Sequence, residues 1–412
     1  MMEPPHPPAE RTWLRVMVVV ALVGALVGAA VWWDPRGEDA RDVDTRNGRA
    51  FIQDNLWSTA TDRLAIWVGD GGQPVLGVRS DSGPWTTTDL GEIEGNPLDS
   101  PTEDDNHNVY AVAGDPLGHI HVMGNMHGDR LRYIRTAEPG RTDRWIEPPM
   151  GGANQSVTYP ALVGLPDGTV LFFRREGTVG LAQTLLDRLA PGSEDWEHIG
   201  PVIDGRPSDE SAYLQHVAVD PDTGTVHVGF LWRQGRGTIR NNDVSYMRSD
   251  DGGTSWTTSA GAPLTLPVLH DSAEVVVDTP RRDADLLNNG GMVVAADGNP
   301  HMVFAGRAEV LHVWFDGTTW HTDTPIPAFR ANRPAAARGA DGSVWAIGVR
   351  GTRITALQVY PDVGGEVVAG TAPRGWEATY DTQAHQQSDR VEILVVGADD
   401  EPVIETLDLP GG

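Results

Sequence analysis

Two histidines, His107 and His127, flank one short stretch of the chain. An imidazole takes or gives a proton near neutral pH, so a facing pair of them suits general acid–base work. Between them, Val109, Ala111 and Ala113 alternate into Asp115, Pro116, Leu117 and Gly118, a sequence with turn chemistry, and residues 119–123 alternate again. This reads as a strand–turn–strand unit, with a further short run at residues 131–134. A hairpin brings its two ends toward one rim of a sheet, which would let the two imidazoles face a common site. His119 and His121 lie two apart inside the second strand, where alternate residues share a face by default. That spacing is the one a structural metal ion would use, but by itself it assigns no metal, and no cofactor is expected.

The elements that would position these residues form a loose repeat. Turns containing Asp-Gly or a variant, centred on Gly118, Gly168, Gly224, Gly298 and Gly342, recur 44 to 74 residues apart, each followed by alternating apolar residues. Examples are Pro166 to Phe173, Asp222 to Phe230, Ala296 to Phe304 and Ala340 to Ile347. A period near 50 residues with several short strands is the pattern of a β-propeller blade. The expected fold is all-β, a β-propeller of seven blades (six being the alternative) over residues 50–412. Leu181–Leu189 is the best helical candidate in that span.

Ahead of it, residues 16–33 are one apolar run, preceded by Arg11 and Arg15 and closed by Trp32 and Trp33. Eighteen residues is near the lower limit for crossing a bilayer, and the arginine side stays cytoplasmic. The reading is a Pro-rich cytoplasmic tail (1–12), a single transmembrane signal anchor (13–33) without a convincing cleavage site, a charged linker (34–49) and an extracytoplasmic propeller.

Formal net charge is −27, which argues against nucleic-acid binding, since phosphate needs a basic footprint. There is no cysteine, hence no disulfide framework and no Cys-ligated metal. There is also no lysine, so every cationic site is an arginine, a planar fork suited to carboxylate or sulfate. An anionic substrate would have to be attracted locally.

Ser249, Asp251, Gly253 and Trp256 match the Asp-box pattern S-x-D-x-G-x-T-W, with Ser255 in place of Thr before the tryptophan. Physically this is a hairpin turn: carboxylate on backbone N–H groups, glycine at positive φ, tryptophan packed beneath. It is read as structural. Phe315 to Trp320 is a degenerate second copy.

The Asp-box, His107 with Asn108, Thr158-Tyr159-Pro160 followed by Phe172-Phe173-Arg174, and Leu286 to Gly291 with Asp297 to His301 together resemble the BNR-repeat proteins that include ulvan lyases. The resemblance covers roughly residues 60–349. It implies a seven-bladed propeller that cleaves uronic-acid-containing polysaccharides by β-elimination, using His, Tyr and Arg in a cleft. Such chemistry removes the C5 proton beside a uronate carboxylate. A cation must neutralise the carboxylate, a base must take the proton and an acid must protonate the leaving oxygen. The resemblance places His107, His127, Tyr159, Arg174 and Tyr213 in the site, with Arg174 as the carboxylate clamp. Tyr213 or His127 would be the base and Tyr159 or His107 the acid. Asn108 and Arg175 would bind substrate. The expected partner is an anionic polysaccharide or other glycan, and the chain is expected to be monomeric.

Two further readings compete. A non-catalytic glycan- or protein-binding propeller at the cell surface would have these residues dispersed or tied up in hydrogen bonds. A sialidase-like hydrolase would share the Asp-box, but its Arg-Ile-Pro-type start is missing and only one full box is present.

Overall fold

A computed structural model describes residues 45–49, 51, 54–80, 83–95, 97–98, 105–236, 241–279, 286–306, 310–326, 333–388, 390–397 and 401–410. The tail, the anchor and most of the linker lie outside the described residues. No helix among the described residues is long and apolar enough to cross a membrane.

The described residues are almost all strand. They form seven units in chain order: five of four strands, a fourth unit with a divided outer edge, and a two-stranded seventh. The first comprises Leu56–Ser58, Asp62–Val68, Pro74–Ser80 and Thr86–Asp89. The second comprises Tyr110–Gly114, Ile120–Gly124, Tyr133–Thr136 and Trp145–Ile146, and the third Val157–Gly164, Val170–Thr178, Leu181–Leu189 and Glu197–Asp204. The fourth has Ser211–Val219, Val226–Arg233 and Asn241–Ser249, with Trp256–Thr257 and Glu274–Val277 sharing its outer edge. It is joined to the third by the single parallel bridge Ala182–Ser211. The fifth runs over Gly291–Val294, Pro300–Ala305, Val310–Phe315 and Trp320–Ile326, and the sixth over Ala335–Arg338, Val344–Arg350, Arg353–Tyr360 and Gly364–Thr371. The seventh pairs Val391–Val396 with Pro402–Leu407, and Tyr380 bridges to Ile393.

Each unit is an antiparallel meander, and the first strands of the first three units, and those of the fourth to sixth, pack side by side. The end of the chain returns to the beginning. Leu56, Ala65 and Trp67 of the first unit share one core with Val391, Ile393 and Val395 of the seventh. Ser58 Oγ donates to Asp381 at 2.6 Å, and Arg63 reaches both oxygens of buried Glu392 at 2.8 and 3.2 Å. The architecture is all-β and propeller-like.

Three local readings change. Leu181–Leu189 is a strand, not a helix: Val170–Thr178 pairs along one side of it and Glu197–Asp204 along the other, and this pairing overrides its leucine-rich composition. Among the described residues the α-helix is instead Thr382–Ser388, begun by Asp381, whose carboxylate accepts the Ala384 N–H at 2.9 Å. The linker also ends sooner than residue 49. Asn47 is buried and pairs with both backbone groups of Val68, at 2.9 and 2.7 Å, so its amide acts as a strand partner.

The Asp-box forms the turn expected of it. Ser249 Oγ and the Ser255 N–H each meet Asp251 Oδ1 at 2.8 Å, Gly253 has φ 88°, and Trp256 is buried with its indole N–H on the Gly253 carbonyl at 3.0 Å. A Cβ at Gly253 would stand 2.5 Å from Leu186, so the turn also locks the third unit to the fourth. Trp256→Ala should therefore cost about 3–5 kcal/mol in a chemical-denaturation experiment. A loss within experimental error would mean that this tryptophan does not hold the two units together.

Candidate functional site

His107 sits on a turn set by Asp105, whose Oδ1 accepts both the His107 backbone N–H at 3.0 Å and its Nδ1 at 2.8 Å. His127 is delivered by a sharp reversal after the second strand. Gly124 has φ 157° and a Cβ there would lie 2.4 Å from the Val109 carbonyl oxygen, while Asn125 has φ 58°. The chain then leaves its own sheet. His127–Asp129 pairs with Val157–Gly164 of the third unit, His127 opposite Thr158. The outcome is that His127 Nδ1 lies 2.6 Å from Asp105 Oδ2 and the two imidazoles stack at 4.2 Å, 16° from parallel.

Tyr159 reaches the same place through a bulge. The register of Val157–Gly164 against Val170–Thr178 slips between Thr158 and Ala161, and Tyr159 has φ 57°, a left-handed conformation rare outside glycine and asparagine. A strained residue of this kind persists where surrounding structure holds it, and functional sites are where it collects. The bulge turns the Tyr159 ring toward His107 (6.1 Å) and Tyr213 (6.0 Å).

Arg175 completes the line. Its Nη1 donates to Tyr213 Oη at 2.6 Å and its Nη2 to Thr158 Oγ1 at 3.1 Å, and its guanidinium lies over both tyrosine rings, 5.3 and 4.9 Å from their centroids. Arg233 covers Tyr213 at 4.0 Å; its Nε donates to Asn241 and its Nη2 to Asn288 Oδ1 at 2.7 Å. Among the described residues no carboxylate pairs with Arg175 or Arg233. In a chain of net charge −27, two buried guanidiniums held only by neutral groups make a local site for an anion.

Burial raises the Asp105 pKa, but hydrogen bonds from the His107 N–H and from both imidazoles outweigh it and bring the carboxyl down to about 2. His107 is pushed below its ordinary value by burial and by the neighbouring His127, against the pull of Asp105. Burial raises Tyr159, opposed in part by Arg175, so its hydroxyl keeps its proton. An ionised Asp105 only accepts hydrogen bonds, so each Nδ1 carries a proton. In the neutral imidazoles Nε2 is then the free base.

Residues 65–325 match the family described as BNR repeat-containing family member. The chain belongs to the BNR repeat-containing family. Within it, an ulvan lyase of Alteromonas sp. (strain LOR) is 22% identical over 291 residues, a match spanning 58% of this chain and 56% of that protein. The match thus takes in little more than half of the relative's length. Among solved structures, an ulvan lyase bound to -[GlcA(1-4)Rha3S]- superposes with a TM-score of 0.64 at 16% identity, covering 81% of this chain and 86% of that one. A second polysaccharide lyase gives 0.65 at 16% identity over 87% and 90%. A lectin from Burkholderia pseudomallei gives 0.51 at 12% identity over 88% and 98%. At these identities the superpositions speak to fold.

Set in this BNR-repeat scaffold, His107, His127, Tyr159 and Tyr213 come together as expected, and the arginine beside them is Arg175. Arg174 does not join them. Successive strand residues face opposite ways, and Arg174 is fully buried on the other side, paired with Asp187 and bonded to the Gly151 carbonyl and Asn154, each at 2.9 Å. Arg174, expected as the clamp, therefore does not face these residues; the arginine that does is Arg175. Asn108 is likewise fully buried, its N–H on the Asp105 carbonyl at 3.0 Å, which makes it a support of the loop and not a surface for substrate. His119 and His121 are also absorbed in the sheet: His119 Nδ1 meets the Thr136 carbonyl at 2.9 Å, and His121 lies between Tyr133 Oη at 2.8 Å and Asp115 at 3.2 Å.

The sequence reading passed over Asp105, Phe51, Arg233, Arg333 and Asn288. Asp105-x-His107 is an Asx-turn spacing and was there to be found. The others come from remote units. Arg333 lies over Phe51 at 4.4 Å, with its Nε on the Asn288 carbonyl at 3.0 Å and its Nη1 on Glu377 at 2.7 Å.

Proposed function

We propose that this chain is a polysaccharide lyase that cleaves a uronic-acid-containing glycan by β-elimination on one face of a seven-bladed propeller. The observation that carries the reading is Arg175, a guanidinium without a carboxylate partner among the described residues, beside two tyrosines and two stacked histidines. Arg175 takes the uronate carboxylate and spreads its charge, which makes the C5 proton acidic enough to remove. His127 Nε2, on the more exposed of the two histidine residues, takes that proton. The Tyr159 hydroxyl, kept protonated by burial, gives one to the leaving glycosidic oxygen. Tyr213 is oriented by Arg175 and packs against the sugar. The propeller stands outside the cytoplasm behind the anchor at residues 13–33, and it acts as a monomer.

The test is to incubate the full-length chain, held in mild detergent, with a panel of uronic-acid polysaccharides that includes a glucuronate–sulfated rhamnose polymer. The readout is ultraviolet absorbance of the unsaturated uronate product. The expected result is a rise that His127→Ala and Arg175→Ala both remove. Binding of a polymer with no absorbance rise anywhere on the panel would sink the lyase reading and leave a glycan-binding propeller.

A further inference from the structure

We propose that Asp105, His107 and His127 form a binding site for one divalent transition-metal ion of the zinc class, which competes with proton transfer for the two imidazoles. The binding stands apart from the lyase reading; the competition rests on it. One donor atom from each of the three side chains lies within 4.8 Å of the other two. The two Nδ1 atoms already converge on the two oxygens of one carboxylate, at 2.8 and 2.6 Å. Zinc holds nitrogen and oxygen at about 2.0–2.2 Å, so tetrahedral donors stand roughly 3.4 Å apart, and small rotations bring these three to that spacing. Two imidazoles and a carboxylate suit zinc over magnesium or calcium, which want an all-oxygen shell. Three protein ligands leave the fourth position to water.

The site is built as well as near. Arg333, Phe51, His107 and His127 form one continuous stack: guanidinium over phenyl at 4.4 Å, phenyl on imidazole at 4.6 Å, imidazole on imidazole at 4.2 Å. Arg333 at its head is itself fixed by Glu377 and Asn288. The stack sets the plane of both rings with their Nδ1 edges toward Asp105. The other end is open, the side chains of His127 and Asp105 each being 31% exposed, so an ion has a way in. On binding, metal takes the Nδ1 lone pair and the ring proton moves to Nε2, so a neutral imidazole releases no net proton. The same step removes the free Nε2 base.

The other histidine clusters lack this geometry. His270 points Nδ1 at Glu210 (2.6 Å) and Nε2 at Asp243 (3.0 Å), so its donors diverge. His301, His312 and Asp323 form a linear chain of hydrogen bonds with both rings buried. Among the described residues, the Asp105 trio alone gathers three donors at one point.

The full-length chain in detergent, stripped with chelator, would be titrated with zinc chloride in a calorimeter, with magnesium chloride as control. The expected result is one zinc per chain and no magnesium heat. His127→Ala and Asp105→Asn should each weaken zinc by at least about 100-fold, the upper end of what an outer-shell partner is worth. Exposed His321→Ala should change nothing. His127 is the most open member of the stack, so its variant is the one expected to keep its fold, checked by circular dichroism. No saturable heat below millimolar zinc, or undiminished binding in His127→Ala, overturns the site. Zinc binding at the trio in a chain without lyase activity keeps the site and removes the catalytic reading. Lyase activity untouched by saturating zinc removes the competition.

Discussion

Arg174→Ala is expected to unfold the chain, while Arg175→Ala leaves a folded protein that, on the proposed lyase reading, loses its turnover of uronate. The two residues are neighbours on one strand and differ in what faces them. Arg174 is fully buried against Asp187, which is equally buried and has one further partner, His198 Nδ1 at 2.7 Å. Removing the guanidinium strands that carboxylate in the interior, a loss of about 3–5 kcal/mol. Against a total stability of about 5–15 kcal/mol, that is enough to lower the melting temperature sharply or to prevent folding. Removing Arg175 leaves no carboxylate behind. Tyr213 Oη and Thr158 Oγ1 lose a donor, for about 1–3 kcal/mol, and both remain able to bond to water entering the gap. The rate, by contrast, loses the charge opposite the developing enolate, about 10²–10³-fold. Thermal melts and initial rates on the two variants separate these effects. A stable, inactive Arg174→Ala beside an active Arg175→Ala would reverse the assignment.

The same pair marks where sequence reading stops. Periodicity gave the strands and the Asp-Gly turns gave their repeat, because alternation and turn chemistry are local properties. The Asp-box was legible to the level of individual hydrogen bonds for the same reason. Which of two adjacent arginines enters the site was not legible. That depends on the phase of one strand relative to a bulge at Tyr159 on its neighbour, and a one-residue slip exchanges the two faces. Leu181–Leu189 failed in a related way. Its leucines suit a helix, but two strands claim its edges, and pairing is not written in the segment itself. The partners of the site came from farther still. Phe51 comes from before the first strand and Arg333 from just ahead of the sixth sheet, and only the return of the chain on itself brings them together. Asp105 is the instructive omission. The sequence reads the histidines as two imidazoles facing a common site, whereas each also shares its inner nitrogen with one carboxylate.

That shared carboxylate makes the titration of His107 the most discriminating measurement. Burial and the adjacent His127 lower its pKa from the ordinary 6.5, and Asp105 opposes them through a hydrogen bond and its charge. The sign of each variant follows. Asp105→Asn removes the group that favours the imidazolium, so the midpoint of His107 moves further down. His127→Ala removes the neighbour whose electrostatic interaction lowers His107 and lets solvent in, so the midpoint of His107 moves up. Ring-proton NMR reads both, and a shift in the opposite direction in either variant would break the account of the pair. The linkage to stability has one direction. The folded-state pKa values of His107 and Asp105 are both depressed, so each group contributes stability that is fully present at high pH. The His107 part is lost as pH falls below 6.5, and the Asp105 part between 3.8 and about 2. On the proposed lyase reading, in which His127 is the base, activity falls much further than stability in His127→Ala, by about 10²–10⁴-fold. Nε2 has no substitute at that position: Tyr159 is held protonated by burial. Asp105→Asn keeps the base and changes what holds it. A smaller fall in rate than that of His127→Ala is expected. A loss as large as that of His127→Ala would mean that Asp105 itself carries the proton.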